Sequence, residues 1–277
     1  MPTPLSRKLA SLISLCLLAL GSTSLQAETL KLATTTSTYN SGLLDSILPQ
    51  FEQATGTEVH VIAVGTGAAL RMGRDGDADV LLVHAPAAEQ RFIGEGHGID
   101  RTGVMYNDFV IVGPSSDPAS IAGQSDVASA LQRIAEAGAL FVSRGDDSGT
   151  HKKEKSLWQQ AQISPSGDWY REAGQGMGKV LQIADEVGGY TLTDRGTWLA
   201  YQGKLQLNLL LEGDQRLFNP YSVMKINPQR YADLNHQGAE AFRQWLVSEQ
   251  TQQQIADFRI NGEPLFVPSA VTPVASQ

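Results

Sequence analysis

Cysteine is nearly absent from this sequence. Of 277 residues only Cys16 is one, and it sits in the apolar run of residues 9–20 behind Arg7 and Lys8. Leu15 stands before it where a lipid-attachment signal wants a small residue, so no lipid anchor is expected there. The rest of the chain has no thiol, which excludes a disulfide framework, thiolate catalysis and a cysteine-ligated metal. Such a chain relies on its core alone, and about 250 residues are ample for one. Long hydrophobic runs are missing too. The run at 9–20 falls short of the roughly 20 residues of a membrane span. With Leu25-Gln26-Ala27 behind it, it reads as a cleaved secretory signal peptide over residues 1–27.

Positive charge is scarce: 21 Lys+Arg stand against 29 Asp+Glu, a formal −8. Removing Arg7 and Lys8 with the signal takes this to −10. The balance argues against nucleic acid or an anionic membrane surface as partner. An anionic ligand would have to be held by local dipoles, such as the fixed N–H groups of helix starts. His60, His84, His97, His151 and His236 show no ligand spacing, so no metal site and no cofactor are expected. The aromatic residues form no stripe suited to stacking on bases or sugars. There is no internal repeat and no low-complexity linker.

What is present is an alternation of short apolar strands and helical periodicities, the pattern of an α/β protein. Residues 143–154, S-R-G-D-D-S-G-T-H-K-K-E, follow the strand-like run 139–142 and precede Leu157 and Trp158, where helical spacing begins. A strand that ends in a polar turn and restarts as a helix leaves backbone N–H groups without partners. Those donors, the hydroxyls of Ser148 and Thr150, and the guanidinium of Arg144 suit a negative oxygen. A plainer reading is a helix cap at Asp147 or Ser148, with Arg144 paired to Asp146 or Asp147. A cap alone does not require Gly149, whose missing side chain lets a ligand approach the backbone.

A matching corner lies near the start. Thr34-Thr35-Thr36-Ser37-Thr38 follows a strand at 30–33 and precedes Leu43, Leu44, Ile47, Leu48 and Phe51, apolar at helical spacing. Five hydroxyl residues in a row exceed what one cap needs. Gly65-Thr66-Gly67 repeats the corner between a strand at 58–64 and a helix at 68–74. Hydroxyl corners more than a hundred residues apart suggest two lobes closing on one small anion. Further strands are expected at 79–84, 107–112, 190–193, 205–211 and 216–226. Further helices are expected at 86–92, 126–137, 179–187, 237–247 and 250–258. The runs at 107–112 and 219–223 would cross between lobes, and the chain after Val267 reads as a frayed tail.

Three motifs suggest other chemistry. Ser148, His151 and Asp147 raise the prospect of an exported hydrolase, but the G-x-S-x-G elbow is absent and His151 lies three residues along the same helix. His151 and Lys152 are expected to be exposed or lightly packed. Gly174-x-Gly176-x-Gly178 does not match G-x-G-x-x-G and reads as a tight turn. Arg195, in the strand-to-helix turn 194–197, is balanced between a ligand role and an ion pair or clamp.

The motifs T-T-T-S-T at 34–38, G-T-G at 65–67, 143–154 and Y-T-L-T-D-R-G-T at 190–197 resemble the tungstate-binding components of bacterial ABC importers, the TupA type. The resemblance runs from about Thr29 to Phe266. It implies a type II periplasmic-binding-protein fold, two α/β lobes joined by two crossover strands. Lobe I would be 28–108 plus 220–267, lobe II 109–219, and 268–277 a tail. It further implies a monomeric, non-enzymatic periplasmic protein that hands tungstate or molybdate to a membrane permease. Thr34, Thr35, Thr36, Ser37, Thr66 and Gly67 would bind from lobe I, and Arg144, Ser148, Gly149 and Thr150 from lobe II, with Arg195 beside them. A phosphate or sulfate carrier and a Ser148-dependent hydrolase are the alternatives.

Overall fold

A computed structural model describes residues 28–269; the expected signal peptide and residues 270–277 lie outside them. Strand β1 (Thr29–Thr35) runs parallel to β2 (Glu58–Val64) on one side and to β3 (Val80–Val83) on the other. Parallel strands are read in the same direction, so Thr35, Val64 and Val83 all end at one edge of the sheet. Helices α1 (Thr36–Asn40), α2 (Leu43–Thr55), α3 (Thr66–Asp75) and α4 (Pro86–Gly94) follow these strands. The apolar spacing of α2 buries Leu43, Leu44, Ile47, Leu48 and Phe51. Phe51 packs edge-on against Phe242 at 5.2 Å between ring centroids. Phe242 lies on α9 (His236–Leu246), which α10 (Glu249–Asp257) follows.

Strand β4 (Gly98–Gly113) is the longest in the fold, and it changes partners along its length. Through Asp108 it pairs antiparallel with β9 (Phe218–Ile226), and β9 pairs with β3. From Phe109 onward β4 pairs instead with β7 (Thr191–Asp194) and β8 (Asn208–Leu211). A parallel pair, β5 (Phe141–Ser143) and β6 (Tyr170–Glu172), attaches to β7 through Tyr190. Between these strands lie α5 (Val127–Glu136), α6 (Gly149–Gln160), α7 (Met177–Val187) and α8 (Arg195–Tyr201). The result is two α/β lobes joined by β4 and β9. One core cluster is drawn wholly from residues between Phe109 and Leu217. Its centre is aromatic: Trp158 meets Phe141 at 5.1 Å and Trp169 at 5.7 Å, both edge-on. Another joins Ala33, Leu81 and Phe92 to Met224 and Ile226.

Several expectations shift. Strand β2 has the expected bounds, but β4 starts at Gly98, nine residues before the apolar run that signals it. Its first half is polar and its register with β9 shifts twice, so it carries no clean alternation. The strands expected at 205–211 and 216–226 begin later, at Asn208 and Phe218; in the second, a short 3₁₀ turn at Gln215–Leu217 takes the expected start. The segment after Val267 is not loose at once, since a short strand, Val267–Pro268, pairs with Met105 and Tyr106.

Gly113, at the end of β4, is required by close packing. A Cβ there would lie 2.5 Å from Cδ1 of Tyr190 and 2.9 Å from Cδ1 of Leu210. Tyr190 cannot yield, because its hydroxyl donates to Asp117 Oδ1 at 2.7 Å and accepts from the Ala119 N–H at 2.9 Å. Gly113→Ala is therefore expected to cost about 1–3 kcal/mol, the usual range for overpacking. Urea unfolding of the two proteins reads this directly, and equal midpoints would show that the tyrosine can move.

Candidate functional site

The strand ends and the helix starts meet in a cleft of about 700 Å³ between the lobes. Thr36, Thr66, Thr150 and Thr197 line it, each within the first three residues of its helix. Met177 and Gly178 bring in the start of α7. Helix starts carry N–H groups with no intrahelical partner and the positive end of the helix dipole. Gly65 caps α3 and Gly176 caps α7, neither with a side-chain bond, so these donors are left for a ligand. Ser148 caps α6: its hydroxyl accepts from the His151 N–H at 3.3 Å and also bonds the Asp146 carboxylate. A Cβ at Gly149 would meet nothing within 4 Å, so the glycine keeps this part of the cleft open.

The hydroxyls of Thr36, Thr66 and Thr150 make no hydrogen bond within the described residues. They come from three helices and from both lobes. Thr35 is different: its Oγ1 accepts from the Thr38 N–H at 3.3 Å and lies 2.6 Å from Thr38 Oγ1 and 3.1 Å from Ser37 Oγ. It is the hub of the corner, and the exposed Thr36 and Ser37 stand around it.

Full charge is sparse in the lining, which holds only Arg144 and Asp194 among its Asp, Glu, Lys and Arg positions. Arg144 donates through Nε to Asp146 Oδ2 at 3.1 Å, and a second bond from Nη2 to the same oxygen makes this an ion pair. Asp146 also accepts from the Ser148 N–H. Burial alone would raise the Asp146 pKa, but bonds from Ser148 and Arg144 outweigh it and hold the carboxyl below its usual range. Asp147, with φ +57°, faces outward to Lys152 Nζ at 3.2 Å. Asp194 is the cap of α8, and its two oxygens accept from the N–H and the hydroxyl of Thr197 at 2.8 and 2.7 Å. Behind the loop, Glu154 accepts from Ser143, Tyr170 and Trp158, at 2.7, 2.8 and 3.1 Å. This fixes the end of β5 from which Arg144 projects.

A family model described as the PBP superfamily domain matches residues 22–250. The tungstate-binding protein TupA of Peptoclostridium acidaminophilum is 51% identical over 243 residues, 86% of this chain and 85% of that protein. The chain belongs to the PBP superfamily and, within it, to the TupA family. Solved structures agree. The tungstate-binding protein TupA from Desulfovibrio alaskensis G20 superposes with a TM-score of 0.84 at 50% identity, covering 88% of this chain and 99% of that one. A tungstate ABC transporter structure from Geobacter sulfurreducens gives 0.72 at 49% identity, covering 83% and 99%.

In this TupA-family cleft, Thr35, Thr36, Ser37, Thr66, Arg144, Gly149 and Thr150 lie together in the lining. Four residues singled out from the sequence lie outside it. Thr34 is fully buried and donates to the Leu82 carbonyl at 2.7 Å. Gly67 borders a separate groove on the other side of α3. Ser148 is spent as a cap. Arg195 donates to both oxygens of Asp108, at 2.5 and 2.7 Å, and to Glu212. His151, expected to be exposed or lightly packed, is buried, and its Nδ1 accepts from the Asp147 N–H at 3.0 Å. It is therefore turned away from Ser148 Oγ as a base.

The lining also holds residues that the motifs did not reveal: His84, Asn107, Asn219 and Tyr221. Asn219 spends its amide on Asn107 Oδ1 at 2.8 Å and the Tyr221 hydroxyl at 3.3 Å. Its Oδ1 therefore faces His84 Nδ1 at 3.0 Å and must accept a proton from it. Nε2 is then a bare acceptor for the Thr35 hydroxyl, 3.1 Å away. Position 84 follows a buried strand, the one local hint; the partners come from 49 and 135 residues away.

Burial lowers the pKa of His84, against smaller opposing effects of Asn219 and Asp194. The unfolded chain thus binds a proton near the ordinary value of 6.5 while the folded one resists it. Stability from this group is intact above that pH and is lost as pH falls below it. His84→Gln keeps a neutral hydrogen-bonding side chain and should show a smaller drop in unfolding free energy between pH 7.5 and 5.5. The other histidines cancel in the comparison, and an equal drop in both proteins would show that His84 is not held neutral.

Proposed function

We propose that this protein captures tungstate, and with it the similar molybdate dianion, in the interlobe cleft and delivers it to an ABC importer. The observation that carries this reading is the set of three unpaired hydroxyls, on Thr36, Thr66 and Thr150, at helix starts from both sides of the cleft. Tungstate at neutral pH is a tetrahedral dianion with only acceptor oxygens. A site for it needs donors and no free carboxylate. Protonated phosphate would need an acceptor, and Asp194 already receives two bonds from Thr197. The names of the relatives point the same way.

In this reading Thr36, Ser37 and Thr66 bind from lobe I, taken as 28–108 and 220–267. Arg144, Gly149 and Thr150 bind from lobe II, taken as 109–219. Thr35 holds the corner together, Ser148 caps α6, and Arg195 is a clamp at the end of β4. The protein acts as a binding protein and not as an enzyme, outside the cytoplasmic membrane and as a monomer. Nδ1 of His151 is already engaged by the Asp147 N–H, so it does not serve Ser148 as a base.

The cleft is far roomier than a four-oxygen anion, so the lobes should close on binding. Ligand bound only to the folded state raises stability, by about 2.7 kcal/mol at a hundred times Kd. A rise in melting temperature and a smaller radius of gyration are expected with tungstate. Neither change at saturating tungstate would sink the cleft model.

Arg144 can give a dianion two charge-assisted bonds, a geometry lysine does not reproduce. Losing one bond to a charged group costs roughly 1.5–3 kcal/mol, so Arg144→Ala should weaken tungstate binding about ten-fold to a few hundred-fold. Arg144→Lys should recover part of this. Arg195→Ala should instead lower stability by roughly 1.5–3 kcal/mol, since Asp108 loses its partner, and leave Kd little changed. Calorimetric titrations of the three variants check this; the opposite pattern would move the binding charge from residue 144 to residue 195.

A further inference from the structure

A second concavity lies on the outer side of lobe I, between α3 and α4, with a volume of about 380 Å³. Leu70, Ala88 and Phe92 contribute its apolar floor, and Leu70 and Phe92 are themselves buried. Its rim carries three exposed arginines, Arg71 and Arg74 from α3 and Arg91 from α4. None of the three guanidinium groups has a carboxylate partner or a hydrogen bond within the described residues. The one carboxylate in the lining, Glu95, has the His97 ring nitrogen 3.7 Å away. The helix dipole accounts for cations in the last turn of a helix, which covers Arg74 and Arg91. It does not account for Arg71, one turn back on the same face as Arg74.

Three unpaired arginines around one groove stand out in a chain whose formal charge is −8. A small inorganic anion would gain the charges but nothing from the apolar floor. An apolar anchor ringed by charge is instead the composition of a protein-binding hot spot, where arginine is enriched. The groove also shares α3 with the ligand cleft: Thr66 lines the cleft, and Gly67, the next residue, lines the groove. A partner seated here would hold the helix whose start faces the captured anion.

Resting on the transport reading above, we infer that this groove docks the importer's membrane component through a segment bearing an apolar side chain flanked by carboxylates. The charge pattern orients a partner that the acidic chain as a whole would repel. The occupant is a protein segment and not a lipid surface, because an anionic membrane would meet the same net negative charge without filling the floor.

The test compares the wild type with R71E/R74E/R91E and R71K/R74K/R91K. Each purified protein is titrated with tungstate, and each replaces the native copy in the source cells for measurement of tungstate uptake. Labelled protein is also sedimented with membrane vesicles from those cells and with liposomes of their extracted lipids. The expected result is equal tungstate affinity in all three proteins. Uptake and vesicle binding should fall at least ten-fold in the glutamate variant and be largely kept in the lysine variant, with no protein on liposomes. Uptake by the glutamate variant equal to wild type would overturn the inference. So would liposome binding that matches vesicle binding, which would make lipid the occupant. Failure of the unmodified protein to bind tungstate would be separate, because it overturns the transport reading itself.

Discussion

The β4–β9 ladder is the constraint on which the other features depend. β4 is a strand of one lobe up to Asp108 and of the other from Phe109, and β9 starts beside that switch at Phe218. Two antiparallel strands at one place make a connection that bends without letting the lobes slide apart. The switch is reinforced by charge and by packing. Arg195 at the start of α8 holds Asp108 and Glu212, and Lys153 of α6 donates to the Phe218 carbonyl at 3.2 Å and lies over the Phe109 ring. The helix that presents Thr150 to the cleft is thereby tied to both crossing strands. Asn261 adds a further link from the C-terminal segment, donating to the Leu199 carbonyl on α8 at 2.8 Å.

Given that frame, the position of the cleft follows from strand direction. β1, β2 and β3 point the same way, so their helices begin along one edge, and open α/β sheets bind ligands at that edge. β5 and β7 do the same in the other lobe, ending at Ser143 and Asp194. Each corner must satisfy its own backbone before it can serve a ligand. Asp194 and Ser148 do so with side-chain caps, while Gly65 and Gly176 leave their helices uncapped. That division separates residues that shape the cleft from residues that can meet an anion.

Much of this was legible in the sequence because the informative features are local. Hydroxyl runs at strand-to-helix corners, the Gly-Thr-Gly corner and the apolar run of β3 each identify themselves within ten residues. The first half of β4 was not legible, since a strand with two register shifts and polar residues such as Asp100, Arg101 and Thr102 has no simple period. The His84 network was hidden for a different reason: its partners arrive from β1 and β9, and no spacing rule connects positions 35, 84 and 219. Thr34 misled because a run of like residues conceals that alternate side chains in a strand face opposite ways. The aromatic packing of Trp158, the Glu154 brace and the Arg195 clamp are likewise tertiary facts, visible only once strands distant in sequence are side by side.

The near-neutral lining of the cleft has a kinetic meaning. Arg144 and Asp194, the lining's two full charges, are of opposite sign, so the cleft projects no net positive charge into solvent. The surrounding protein is negative. A dianion therefore arrives without long-range guidance, and the pull of helix dipoles reaches it only within about a turn of the helix ends. Capture by such a site is a matter of frequent encounter and slow escape. Its association rate should not fall as ionic strength rises, since added salt screens a repulsion and not an attraction.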